Sequence, residues 1–188
     1  MSHDGGAAAL CVILRLMDVH VFPPGSISWS GRRFRCALGA GGVVKEKCEG
    51  DGATPEGDFP LRLVMYRPDR MERPKTSLSV RALAPDDGWC DDPESPHYNT
   101  LVRLPFKDRH EVLWRGDGVY DLIVVIGYND DPPAPGLGSA IFIHLAKPDY
   151  GPTEGCVALG LEGLKSLISD CDEETRLIIR LGQANGQA

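Results

Sequence analysis

No apolar run in this 188-residue chain approaches the ~20 residues a helix needs to cross a bilayer, so no membrane span is expected. Basic stretches are equally scarce. The net charge is −7, and the densest group, RRFR at Arg32, Arg33, Phe34 and Arg35, is split between two faces by strand alternation. Nucleic acid is therefore not an expected partner. No C-x-x-C pair occurs among Cys11, Cys36, Cys48, Cys90, Cys156 and Cys171, which removes the usual structural zinc site. With one thiol kept free the rest are odd in number, and a chain this long needs no disulfide framework, so reduced thiols are expected. The glycine run GAGG at 39–42 has no following G-K-[ST] and opens no helical pattern, which excludes a phosphate-binding loop and leaves a corner. Residues 7–14 (AAALCVIL) are apolar, but 1–6 hold no Lys or Arg and no small-residue cleavage site follows. Residues 1–16 read as a dispensable extension with no support for export, and a single domain is expected over 17–183.

What is plentiful is turn chemistry. Gly 22 and Pro 15 favour a mainly β chain over a helical bundle. Val19 and Val21, then Ile27 and Trp29, then Phe34, Cys36 and Leu38 alternate with polar neighbours between tight turns, the pattern of an opening meander. Asp51-Gly52 and Glu56-Gly57 mark turns around Pro55. Phe59, Leu61, Leu63 and Met65 then read as the inner face of a half-buried strand.

Residues 67–118 are irregular and rich in Pro, Asp and Arg, an insertion of the kind that forms a functional surface or lid. It carries a polar-aromatic cluster: Trp89, Asp91, Asp92, His97, Tyr98 and Asn99. LIVVI at 122–126 is apolar on both faces and so central, and 140–143 is a second buried strand. The first ends at Tyr128, Asn129 and Asp130, the second at His144. If the two strands are neighbours, these groups share a sheet edge. Leu161, Leu164, Leu167 and Ile168 have helical spacing, and Leu177, Ile179 and Leu181 close the chain as a strand. The fold class expected is mainly β with one or two helices, a mixed sandwich or meander with an irregular insertion.

One stretch carries chemistry. IFIHLAKPDYGPTEGCVAL at 141–159 places a His at the end of one buried element and a Cys at the start of the next. That arrangement suits a cysteine acyl-transfer enzyme, although free Cys is also a common core filler. Twelve extended residues would span roughly 40 Å, so the loop must double back, with Pro148, Gly151 and Pro152 as bends.

Thr153-Glu154-Gly155-Cys156, with His144 upstream, resembles the [S/T]-x-G-C signature of the YkuD-type L,D-transpeptidase catalytic domain. Thr54-Pro55-Glu56-Gly57-Asp58-Phe59 resembles the same family's T-P-x-G-x-F segment, and the order of elements over 19–181 agrees. The chain departs from the family pattern in Glu154, where His is common, in Ala158, where Arg is frequent, and in a shorter His-to-Cys loop.

The resemblance implies a YkuD-like fold and attack by Cys156 on the peptide carbonyl that joins an L-centre to a D-residue in a peptidoglycan stem. His144 would act as base and then acid, Gly155 as part of an oxyanion site, and Thr153 as a loop or imidazole anchor. Tyr128, Asn129, Asp130, Trp89 and Glu154 are the expected substrate contacts. No metal or cofactor is called for, and a monomer is expected. Three outcomes stay open: an L,D-transpeptidase, an L,D-carboxypeptidase trimming recycled muropeptides, and a silent wall-binding module with a structural thiol. The family usually acts in the cell envelope; the N-terminus leaves a cytoplasmic setting open.

Overall fold

The computed structural model describes residues 17–181, which leaves the extension at 1–16 and the chain's end outside the description. The turns anticipated from sequence deliver β1 (Asp18–Phe22), β2 (Ser26–Trp29) and β3 (Arg32–Ala37) as an antiparallel meander. A short parallel pair follows, β4 (Val43–Val44) with β5 (Thr54–Pro55), and then the ten-residue β6 (Gly57–Tyr66). After the insertion come β11 (Leu122–Ile126), β12 (Phe142–Leu145), β13 (Val157–Leu159), helix α1 (Leu161–Asp170) and β14 (Arg176–Ile179). The fold is mainly β with a single helix among the described residues.

β6 closes the architecture. Its first half pairs with β14 and its second half with β11, so the ladder running β11-β12-β13-β3-β2-β1-β14 returns to its start. The main core fills this ring with Val19, Ile27, Trp29, Val64, Val124, Ile143, Val157 and Leu177, and α1 adds Leu164, Leu167 and Ile168. Leu161, at the first turn of α1, and Leu181, just past β14, are instead exposed.

Two expectations change. The inner face read for β6 is broken by a bulge at Arg62: Leu63 pairs with Val125 while Leu61 pairs with Ile126. The extra residue reverses the alternation, so Phe59, Leu61 and Val64 enter the main core while Leu63 and Met65 face the other side. The insertion is also more regular than its composition suggests. It holds β7 (Val80–Ala82) beside β6, and a small antiparallel sheet of β8 (Asp87–Cys90), β9 (Leu101–Arg103) and β10 (His110–Val112). Asp87 anchors it from a fully buried position, bonded to Arg81 Nη2 and the Ala84 N–H at 2.8 Å each. Strands of three or four residues leave no readable period.

That insertion covers the outer face of β11 and β12. Trp89, Leu113, Val119, Tyr120, Ile123, Val125, Phe142 and Cys156 form a second apolar cluster there. The central strands are thus buried on both faces, as their continuous apolar sequence requires.

Candidate active site

β12 and β13 run parallel, with Ile143 opposite Val157 and His144 opposite Ala158. Alternation sends Ile143, Val157 and Leu159 into the main core, while Phe142 and Cys156 join the second cluster on the other face. His144 and Cys156 therefore share a face, about one strand spacing (4.8 Å) across and two residues (6.6 Å) along. Both line a cleft of about 730 Å³ between the insertion and the loop that joins the two strands. That loop doubles back through a turn in which the Tyr150 N–H bonds Lys147 O at 2.9 Å, a turn containing Pro148.

The Gly-Cys corner is held by two segments the sequence had left separate from it, the glycine corner and the start of the T-P-x-G segment. Thr153 bridges to Gly39: its N–H donates to Leu38 O, and its carbonyl accepts from the Ala40 N–H, both at 2.9 Å. The Gly39 N–H in turn donates to the buried Thr54 Oγ1 at 2.8 Å. A Cβ on Gly39 would lie 2.3 Å from Gly52 O, so only glycine permits this approach. The glycine corner is a seam between the T-P-x-G and T-E-G-C segments. Gly155 has φ +128°, and a Cβ there would stand 2.7 Å from Ala53 O. Thr153 Oγ1 donates to Cys156 O at 2.6 Å and accepts from the Gly155 N–H at 3.2 Å, closing the loop on itself rather than touching the imidazole.

The thiol is buried. Sγ donates to Ala140 O at 3.2 Å and accepts from the Phe142 N–H at 3.3 Å; the imidazole is not among its partners. Burial pushes the thiol up to about 12, opposed slightly by the Phe142 N–H, with Glu111 adding to the rise. His144 is also buried, and burial holds it below its ordinary value against the opposing bond to Leu145 O. Its Nδ1 lies 2.9 Å from that carbonyl. A carbonyl only accepts, so Nδ1 carries the proton and Nε2 presents a lone pair. Among the described residues the Cys156 N–H takes no protein partner.

Among the cleft residues not anticipated, three stand together beside the imidazole. The Tyr120 ring meets the His144 ring edge-on at 5.3 Å, and its hydroxyl donates to Glu111 Oε1 at 2.8 Å. Arg115 lies 3.6 Å from that carboxylate and 5.2 Å from the Tyr120 ring centroid. Burial pushes Glu111 up, opposed by the bond from Tyr120 and the charge of Arg115, and burial likewise pushes Tyr120 well up. The signal for them was topological. β11 and β12 are antiparallel, with Ile123 opposite His144, so the residues leading into β11 arrive at the histidine end of β12.

The same pairing separates the Tyr128 group from the histidine, because the C-terminal end of β11 meets the N-terminal end of β12. Tyr128 packs edge-on against Phe59, and its hydroxyl donates to Leu137 O. Asn129 ties its own loop through Ala134 and Gly138, and Asp130 pairs with Arg62 at 2.9 Å. Trp89 is buried against Phe142, 5.0 Å between rings, with Nε1 donating to Asn99 Oδ1 at 2.9 Å. None of these four lines the cleft, whereas Glu154 does, exposed at its mouth. Among the described residues no group of three or more His, Cys, Asp or Glu side chains converges as a metal site would. No helix among them is long and apolar enough to cross a membrane.

A family model for the YkuD L,D-transpeptidase catalytic domain matches residues 20–179, and the chain belongs to that family. The family acts on peptidoglycan. A search of curated proteins gives no match.

Proposed function

We propose that the protein is a cysteine-dependent L,D-transpeptidase acting on peptidoglycan stem peptides through a thioester. The observation that carries this reading is the shared cleft face of Cys156 and His144, with Nδ1 engaged by Leu145 O and Nε2 left as a base. Sγ attacks the carbonyl joining the L-centre to the D-residue as its proton passes to Nε2. His144 then gives that proton to the leaving amine as the C–N bond breaks, leaving an acyl-thioester. An acceptor amine attacks the thioester, His144 takes its proton, and the C–S bond breaks as that proton passes to Sγ, restoring the thiol. The Cys156 N–H is the available oxyanion donor, and the Gly155 N–H joins it if Thr153 Oγ1 releases it; one such donor contributes about 2.7–4 kcal/mol.

Water in place of the amine gives the carboxypeptidase outcome with the same groups. A tetrapeptide stem supplied with and without an acceptor amine separates the two: cross-linked product means transfer, tripeptide plus D-amino acid alone means hydrolysis. Cys156→Ala is expected to abolish both products, and activity surviving in that variant would remove the mechanism. Absence of any acyl adduct on Cys156 of the wild type would leave the silent-module reading in its place.

A further inference from the structure

We propose that Asn99, at the tip of the insertion and outside the cleft, is the positioning residue that holds the segment against which the Cys156 thiol rests. This builds on the reading of Cys156 as nucleophile. Asn99 is buried, at 6% exposure, and adopts φ +56°, a conformation Asn tolerates better than most residues. Its side chain forms bonds in four directions. Oδ1 accepts from Trp89 Nε1 at 2.9 Å and from the Ala140 N–H at 3.0 Å, while Nδ2 donates to Tyr128 O at 3.0 Å and Asn129 O at 2.8 Å.

The bond to Ala140 is the one that reaches the chemistry. Ala140 itself sits at φ +52°, which a residue with a Cβ holds only where its surroundings impose it. Asn99 fixes the N–H of that residue, and the carbonyl of the same residue accepts the thiol proton at 3.2 Å. A second route runs through Trp89, whose ring packs on Phe142, the residue whose N–H donates to Sγ. The neighbouring Tyr98 reinforces the clamp: its hydroxyl accepts from the Gly138 N–H at 3.0 Å and donates to Glu49 Oε2 at 2.5 Å. Both protein partners of the sulfur are thus set from the Tyr98-Asn99 tip.

The test is site-resolved alkylation by iodoacetamide, read by mass spectrometry across pH, beside steady-state acylation by the stem peptide. Asn99→Gly keeps the positive φ and deletes the side chain. Released from Ala140, the sulfur gains access to water. Cys156 is expected to alkylate at least tenfold faster at pH 7 while kcat for acylation falls at least tenfold with KM little changed. The buried Cys36 and Cys171 report general loosening in the same sample and are expected to stay slow. Asn99→Asp retains an acceptor for the Ala140 N–H but turns an oxygen toward the Tyr128 and Asn129 carbonyls, so Cys156 is expected to alkylate more slowly there than in Asn99→Gly, though faster than in the wild type. Alkylation unchanged in Asn99→Gly, or as fast in Asn99→Asp as in Asn99→Gly, would overturn the proposal. If Cys36 and Cys171 also label in Asn99→Gly, Asn99→Asp alone decides: labelling slower than in Asn99→Gly with part of the acylation retained supports the role, labelling as fast as in Asn99→Gly removes it. The labelling needs no substrate, so its outcome stands apart from whether the stem peptide is the right donor.

Discussion

The cleft pairs a neutral thiol with a neutral imidazole at rest, and that has a measurable consequence. With the Cys156 thiol pushed up to about 12, its thiolate fraction at pH 7 is about one in 10⁵, against about 3% for a free thiol near 8.5. The deficit is about 3,000-fold. A more basic thiolate is a better nucleophile, and a Brønsted slope of ~0.4–0.5 over ~3.5 units returns roughly 25- to 60-fold. Iodoacetamide, which uses pre-formed thiolate, should therefore alkylate Cys156 about a hundredfold more slowly than free cysteine. Its rate should keep climbing with pH beyond 9. Acylation by the stem peptide should behave differently, because the proton leaves sulfur only as Nε2 accepts it. Its acid limb should follow His144, below the ordinary imidazole value, and no rise should track the thiol. The assay is alkylation across pH 5–10 by mass spectrometry, with kcat/KM for the peptide over the same range. Fast alkylation with a midpoint below 7 would instead mean a resting thiolate–imidazolium pair, with burial failing to keep the thiol neutral.

Other expectations can be checked on the same protein. Gly155→Ala places a Cβ 2.7 Å from Ala53 O at φ +128°; backbone strain of this kind costs about 1–3 kcal/mol. A displaced sulfur should cut acylation about 100-fold, which thermal unfolding and single-turnover kinetics would show together. Tyr120→Phe keeps the ring edge on His144 and loses the bond to Glu111, so stability should drop by about 1 kcal/mol with acylation changed only a few-fold. Tyr120→Ala should lower kcat more than tenfold. Glu111 has its folded pKa raised by burial, so its contribution to stability is full below the unfolded carboxyl value and is lost as pH rises through the folded one. Glu111→Gln should thus gain melting temperature relative to the wild type between pH 4 and 8; a constant difference would contradict this sign.

Much of this was readable in advance because it rests on period and punctuation. The meander, the doubly buried 122–126 strand, α1 and the Cys–His stretch follow from alternation and turn residues. The bulge at Arg62 was not readable, because a single inserted residue leaves the apolar spacing on either side intact while exchanging the two faces. The sheet in the insertion stayed hidden because its strands are too short to show a period and its anchor is one buried carboxylate, Asp87. Tyr128, Asn129 and Asp130 sit at the end of the right strand, but strand direction decides which end faces the histidine, and composition carries no direction. Asn99 stood out only as part of a polar-aromatic group. Its bond to Ala140 joins residues 41 positions apart, which no local pattern records.

The two family motifs act on one physical quantity, the register of β13. β12 and β13 are buried on both faces, so a slip of one residue in β13 would send Cys156 into the main core and Val157 to the cleft, with little change in apolar content on either side. Hydrophobicity alone therefore specifies this register weakly. The T-E-G-C corner supplies what is missing: Thr153 is locked to Leu38 and Ala40 by its backbone, and Thr54 of the T-P-x-G segment fixes Gly39 between them. Glycine at 39 and 155 is required because these backbones approach more closely than a Cβ allows. On this account the motif glycines and threonines serve to decide which side of a two-sided strand carries the sulfur.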